Sequence, residues 1–303
     1  MDKLLVLDGN SVLHRAYYAL PDWRNRSGEA TAGVYGFLSM MLKAIEDLKP
    51  THLVVVFDHP SPTFRHTMYV GYQTNREKER QVSEDIWGQI EKLKKVFQLL
   101  GLPVYQLSGF EADDLIGTIA KQTKGDVIII TGDRDLMQLV DEKIKLYMPI
   151  KGLSDTVIVD EDKVMERMGV HPGQIIDYKA LVGDSSDNYP GVAGIGPKTA
   201  IHLLAEYGTF EKIYEFINIT PQPPLNLRGG LKEKLINGYE GGELSKRLAT
   251  IRTDAPVTYD SARCQVPGAK EMMEVLQELG YKSLVKRMGG KADESSSRPR
   301  LFE

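Results

Sequence analysis

Cysteine is nearly absent: Cys264 is the only one in 303 residues. A single thiol excludes an internal disulfide and any zinc cluster built on cysteines. Histidine is also scarce. His14, His52, His59, His66, His171 and His202 show no metal-ligand spacing, and none is assigned a catalytic role. Long apolar runs are missing too. None approaches the roughly 20 residues of a membrane span. The N-terminal run in MDKLLVLDGNS is ended by Asp8, too early for a secretory signal. It reads as a buried strand of a cytoplasmic protein with no membrane partner. Positive charge is the last deficit. The formal net charge is −4, which taken alone argues against a nucleic-acid partner.

What is present begins with three short apolar runs: LLVLD (Leu4–Asp8), LVVVFD (Leu53–Asp58) and DVIIITGD (Asp126–Asp133). They are rich in β-branched residues and do not alternate with polar ones, the pattern of strands buried on both faces. Amphipathic segments of helical length lie between them, at Gly33–Leu48, Ser83–Leu100 and Glu111–Thr123. Further strands are expected at Val104–Gln106 and Lys145–Met148. Such alternation predicts an α/β domain with a mostly parallel central sheet. After about residue 160 the chain changes character. Helical segments are expected at Glu161–Met168, Pro172–Val182, Lys198–Tyr207, Phe210–Ile217, Glu243–Ile251, Ala269–Leu279 and Tyr281–Arg287. Residues 218–230 read as a loop, and 289–303 as a disordered tail or linker. The division is therefore 1–160, 161–288 and 289–303.

Each strong strand run ends in aspartate: Asp8, Asp58, and Asp133 with Asp135 in TGDRD. Ligands of open α/β sheets bind at that edge. The stretch GFEADDLIG adds Glu111, Asp113 and Asp114 at a helix start. Carboxylates there also serve as caps, so the triplet alone decides nothing. Gathered with the strand-end aspartates, however, they would repel strongly unless compensated, and a pair of divalent cations is the simplest compensation. Asp184 and Asp187, three apart in LVGDSSDNYPG, fit either one side of a helix end or a simple cap and turn.

PGVAGIGPKTA (Pro190–Ala200) nearly matches a phosphate loop. Pro197, however, separates Gly196 from Lys198, and a helix rather than a strand precedes it, which argues against an NTPase. A hairpin between two helices fits, either as a plain connection or as a grip on nucleic-acid backbone. Residues 59–90 carry Arg65, Arg76, Lys78 and Arg80 beside Tyr69 and Tyr72. That mixture suits a single strand, or a solvated helix salt-bridged by Glu77 and Glu79.

In order, LDGNSVLHRAYYA, VVVFDHPSPTFRHTMYVGYQTNR, GFEADDLIGTIA, ITGDRDLMQLV and LVGDSSDNYPGVAGIGPKTA resemble the 5′-nuclease domains of bacterial DNA polymerases I, in the flap endonuclease family. The resemblance spans residues 3 to about 288. It implies a PIN-like domain followed by a helical region with a helix-hairpin-helix (H3TH-type) motif. The implied activity is 5′-3′ exonuclease and 5′-flap endonuclease, by a two-metal-ion mechanism giving 5′-phosphate and 3′-hydroxyl ends in DNA replication and repair. Two Mg²⁺ ions are implied, with Mn²⁺ able to substitute. Asp8, Asp58, Glu111 and Asp113 would lie near one; Asp133, Asp135, Asp184 and Asp187 near the other; Asp113 between them; Asp114 is carried over as a metal residue with the rest. Setting these nine carboxylates aside from a charge of −4 leaves +5 for the rest of the chain, so the remaining surface can be basic.

By the same resemblance, residues 59–90 form an arch or gateway whose Y-K-x-x-R element orients the scissile phosphate. Tyr72 and Arg76 match, but Gln73 stands where the family usually has lysine. Slower cleavage than in close relatives is expected, with Lys78, Arg80 or Arg65 compensating. Gly191, Gly194, Gly196, Lys198 and Thr199 match the hairpin that binds duplex backbone, often with K⁺. Implied partners are branched or 5′-flap double-stranded DNA, RNA–DNA hybrids, and polymerase domains in the same or a separate chain, with the nuclease itself a monomer. The alternative reading is a non-catalytic or weakly catalytic module that binds branched DNA.

Overall fold

The computed structural model describes residues 2–24, 28–74, 80–219 and 230–290. Six strands form one sheet: β1 (Lys3–Asp8), β2 (His52–Val56), β3 (Val104–Tyr105), β4 (Asp126–Ile130), β5 (Ile144–Lys151) and β6 (Asp155–Val159). Their order is β3-β2-β1-β4-β5-β6. All pairs are parallel except β5–β6. Strand β1 shows why its sequence does not alternate. Leu4 and Val6 enter the core on one face, Leu5 and Leu7 the core on the other, and all four are fully buried. Helices on both faces therefore take up both sets of side chains.

One face carries α1 (Gly9–Ala19), α2 (Ala32–Leu48) and α4 (Arg80–Leu99); a short α3 (Phe64–Met68) precedes α4. The other face carries α5 (Ala112–Gln122) and, packed beyond it, α6 (Glu161–Met168), α7 (Ile175–Val182), α8 (Pro197–Tyr207) and α9 (Phe210–Ile219). Helices α10 (Leu231–Asn237) and α11 (Tyr239–Ala249) follow. The chain then returns to the first face, where α12 (Ala269–Glu278) and α13 (Lys282–Arg287) bury Met272, Leu276 and Leu284 against the core of α2 and α4.

Helices α1, α3 and α10 and strand β6 carry no clear signal in the sequence pattern. The start of α1, Gly9-Asn10-Ser11, has the composition of a turn. It becomes a helix because Asp8 caps it, accepting a hydrogen bond from Ser11 N at 3.1 Å. Gly9 is required there, since a Cβ would sit 2.4 Å from the Phe57 ring. Strand β6 is short and half exposed, and it is held by antiparallel pairing with β5. The Pro172–Val182 segment divides into a 3-10 turn at Pro172–Gln174 and α7. No helix among the described residues is long and apolar enough to cross a membrane.

Candidate active site

The order of the strands places a crevice at the carboxyl ends of β1 and β4, where the chain changes direction across the sheet. A cleft of about 1400 Å³ opens there. Eight of the nine expected carboxylates line it: Asp8, Asp58, Glu111, Asp113, Asp133, Asp135, Asp184 and Asp187. They come from five chain segments.

Asp8 ends β1 and turns its second oxygen to the Thr131 hydroxyl, at 2.6 Å. Burial, with Asp133 and Asp58 adding to it, raises its pKa to about 7 against the pull of that hydrogen bond and of the Ser11 N–H. Asp58, two residues beyond β2, accepts from the N–H of Ala112, the first residue of α5, at 2.8 Å. Its own N–H donates to Asn10 Oδ1 at 2.8 Å. Glu111 is the N-cap of α5. Its carboxylate accepts from the Thr63 hydroxyl at 3.1 Å, the Tyr72 hydroxyl at 3.1 Å and Arg65 Nη1 at 3.2 Å. Burial nevertheless raises Glu111 to about 7, Arg65 opposing and Asp58 adding to the shift. Asp113 lies between the groups. Burial, then Asp133, Asp8, Asp58 and Glu111, hold its pKa well above the carboxylate range. Asp133 is raised to about 6 by burial and by Asp135.

Asp135, Asp184 and Asp187 form a second cluster, with one oxygen of each within 4.8 Å of the others. The loop after α7 that carries Asp184 and Asp187 is closed by paired backbone hydrogen bonds between Asp184 and Tyr189, at 3.0 and 2.9 Å. Lys179 reaches both Asp135, at 2.5 Å, and Asp184. Although burial opposes it, hydrogen bonds from Lys179 and Ser186 hold Asp184 below its ordinary pKa. Several carboxylates at this spacing, all oxygen donors, are the donor set that hard divalent cations prefer.

Three expectations require correction. Asp114 does not face the cleft. It is fully buried and forms a bidentate pair with Arg65, at 2.8 and 2.9 Å. It also accepts from the backbone N–H groups of Glu111 and Arg252 at 3.1 and 2.8 Å. Arg65 is likewise unavailable to DNA. It is 2% exposed, and its Nε and Nη2 also donate to the carbonyls of Leu248 and Thr250, at 2.8 Å each. With Glu111 and Asp114 these partners occupy the whole guanidinium fork. Arg65 is the clasp joining α3, the start of α5 and the segment after α11. Tyr72, expected as a stacking surface, is 4% exposed and packs with Tyr189 and Leu248 instead.

Gln73 lies in the cleft wall with a left-handed backbone, φ 55°. Its N–H donates to the Asp187 carbonyl at 3.0 Å, and its side-chain amide to Asp187 Oδ1 at 3.2 Å. Asn188, φ 58°, returns hydrogen bonds to Gly71 O and Thr74 Oγ1 at 2.7 and 3.0 Å. Residues 71–74 are thereby tied to the loop that carries the second carboxylate cluster. Arg76 and Lys78 lie outside the described residues, as does the side chain of Arg80.

The glycine-rich turn joins α7 to α8 as a helix-hairpin-helix. Gly191, at φ 64°, passes so close to Gly183 that a Cβ would meet its nitrogen at 2.3 Å. Val192 and Ile195 are buried, which leaves Gly194 and Lys198 exposed at the tip. Gly196 caps α8, and Thr199 is half-buried in its first turn. Sequence reasoning missed Lys234 of α10, whose side chain lies against Gly194. It also missed Thr63, Thr131 and Lys179, which no local motif marks.

Comparison with known proteins identifies a family and a fold. Residues 3–169 match the family described as 5′-3′ exonuclease, N-terminal resolvase-like domain, and residues 170–272 match 5′-3′ exonuclease, C-terminal SAM fold. DNA polymerase I of Bacillus subtilis is 38% identical over 292 residues, which are 95% of this chain and 32% of that protein. DNA polymerase I of Deinococcus radiodurans is 38% identical over 287 residues, 93% of this chain and 29% of that protein. The chain spans about a third of the length of the curated relatives it matches. Among solved structures, a bacteriophage T5 flap endonuclease in a pseudo-enzyme-product complex with DNA and metal ions gives a TM-score of 0.67 at 18% identity, covering 94% of this chain and 96% of that one. The catalytic core of Rad2 in complex with DNA substrate gives 0.59 at 18% identity, covering 95% and 90%. At that identity the likeness concerns the fold.

Proposed function

The chain belongs to the 5′-3′ exonuclease family, and from that premise we propose that it is a structure-specific nuclease that removes 5′ flaps and 5′ ends from branched DNA with two divalent cations. The observation that carries this reading is the meeting of eight carboxylates in one cleft at the carboxyl edge of the sheet. So many like charges crowded in one half-buried cleft are tolerated only if protonated or paired with cations. Asp8, Asp58, Glu111 and Asp113 would hold the first ion, and Asp113 with Asp133, Asp135, Asp184 and Asp187 the second. Mg²⁺ suits this all-oxygen set, and Mn²⁺ would replace it.

Two such ions, when bound, activate a water and stabilise the attacking and leaving oxygens of an in-line displacement at phosphorus. The protein's own residues do the positioning. Thr131 and the Ser11 N–H fix the two oxygens of Asp8. The start of α5 holds Asp58 through the Ala112 N–H. Thr63, Arg65 and Tyr72 hold Glu111. No side-chain nucleophile is required: water adds to phosphorus, the 3′-oxygen departs and takes a proton, and the ends are a 5′-phosphate and a 3′-hydroxyl. The exposed tip of the α7–α8 hairpin, with Lys198 and Lys234, would grip the duplex backbone at a distance from the cut. K⁺ at that hairpin, RNA–DNA hybrids as substrates, a monomeric state, and action alongside polymerase domains belong to the same proposal.

The test is cleavage of a 5′-labelled flap duplex in Mg²⁺ and in EDTA. Release of the flap near its junction in Mg²⁺ alone is expected. Asp113→Ala should lower it by at least about 10²-fold, the loss of several kcal/mol of charge stabilisation. Tight flap binding without cleavage in either Mg²⁺ or Mn²⁺ would replace this reading with that of a binding module.

A further inference from the structure

The second carboxylate cluster already contains a cation of the protein's own. Lys179, in the last turn of α7, is 9% exposed. Its ammonium stands 2.5 Å from Asp135 Oδ1 and is hydrogen-bonded to Asp184 Oδ2. These are two of the three residues whose oxygens converge within 4.8 Å. A divalent ion drawn to the cluster needs the same lone pairs.

A second observation lies next to it. The Tyr189 hydroxyl is the one buried side-chain polar atom among the described residues without a hydrogen-bond partner. Tyr189 is 4% exposed, lines the cleft and is close enough to Lys179 to feel its charge. A buried hydroxyl left unsatisfied is costly unless a partner reaches it in some state of the protein. The ammonium has three donors and a flexible stem, so it can exchange one acceptor for another.

We propose that Lys179 is an internal counter-cation of the second metal site: it competes with the incoming divalent ion for Asp135 and Asp184, makes this the weaker of the two sites, and transfers to the Tyr189 hydroxyl when displaced. This rests on the two-ion nuclease reading and adds an order of filling to it. In the first group, Asp8, Asp58, Glu111 and Asp113, the cation seen among the described residues is Arg65 on Glu111 at 3.2 Å, a guanidinium already held by Asp114 and two backbone carbonyls, so this group binds its ion first. Cleavage then depends on the divalent concentration that overcomes Lys179.

The experiment is a Mn²⁺ titration of the intact chain, followed by electron paramagnetic resonance and calorimetry. The wild type should bind two ions with separated affinities. Lys179→Met and Lys179→Gln, which remove the charge with and without a polar end, should tighten the weaker site by roughly tenfold or more and draw the two affinities together. Tyr189→Phe should loosen only the weaker site, because the displaced ammonium loses its acceptor. Lys179→Arg should keep the wild-type separation. If both neutral variants fold, as judged by circular dichroism, and leave the weaker affinity unchanged or lower, the proposal is overturned. A variant that folds only when Mn²⁺ is added supports it, since the ion then replaces the missing charge. Wild-type protein that cleaves flaps and binds two ions equally tightly would sink this inference alone. Wild type that neither binds Mn²⁺ nor cleaves would sink the nuclease reading as well.

Discussion

At the scale of single residues, the same residue types serve opposite purposes a few positions apart. Asp113 and Asp114 are neighbours on one helix, yet one faces the cleft and the other is locked to Arg65. Helical geometry separates adjacent side chains by about 100°, so a motif written as EADD cannot tell which carboxylate meets which partner. Arg65 read as a DNA contact because its sequence neighbours are basic and aromatic. Only the fold supplies the carbonyls of Leu248 and Thr250 that complete its hydrogen bonds, from more than 180 positions away. Gln73 is the residue where sequence and structure meet. Its neutral amide lines the cleft, where a lysine in its place would offer a scissile phosphate a charged donor. Charge-assisted hydrogen bonds are the stronger kind by about 1 kcal/mol. Gln73→Lys is therefore expected to raise the single-turnover cleavage rate roughly five- to tenfold, measured by rapid quench on the labelled flap. An unchanged rate would mean that the neutral amide costs the enzyme nothing.

At the scale of elements, the glycine-rich turn was legible as a hairpin because its glycines are dictated locally: Gly191 takes a positive φ and an approach no side chain permits. Strands β1, β2 and β4 were legible for a similar reason, since burial on both faces leaves an unbroken apolar run. Helix α1 and strand β6 were not. The first depends on a cap from Asp8 that doubles as a site residue, and the second on pairing with β5. The hairpin also yields a prediction. Lys198 is exposed at the start of α8, and the proposed grip of the hairpin is on phosphate backbone, so Lys198→Ala should weaken duplex binding about equally for all sequences. The slope of log K against log salt should fall by about 0.9, one phosphate contact. Fluorescence anisotropy across a salt series on two unrelated duplexes measures both, and a loss confined to one sequence would contradict backbone binding.

At the scale of the whole molecule, the cleft couples folding to protonation and to metal. Asp8 and Glu111 are raised to about 7, and Asp133 to about 6, from ordinary values of 3.8 for aspartate and 4.5 for glutamate. Burial is the first cause in each case. The folded chain therefore binds more protons than the unfolded chain between about pH 4 and pH 7. Stability from these groups is fully present below their unfolded values and is lost as pH rises through the folded ones. Asp184, held low, acts in the opposite sense and only as pH falls toward its own range. In EDTA the thermal midpoint should accordingly fall between about pH 5 and pH 7. Saturating Mg²⁺ should restore it most at pH 7, where the carboxylates are ionised and metal binding stabilises the folded state by mass action. Differential scanning fluorimetry across pH, with and without Mg²⁺, reads both effects. A midpoint that rises with pH in EDTA would show that the cleft carboxylates are not desolvated as described.

The parallel sheet, the hairpin and the residue types of the cleft are legible in the order of amino acids alone. Each of these follows from local requirements: burial on both faces of a strand, a backbone that only glycine can adopt, acids at strand and helix ends. Folding settles which acids converge, that Asp114 pairs with Arg65, that Tyr72 belongs to the wall, and that Lys179 sits inside the second cluster. Those outcomes depend on distances between segments that are remote in the chain. Such distances are set by the order of strands in the sheet and by the packing of helices on its two faces, and no local pattern of residues encodes them.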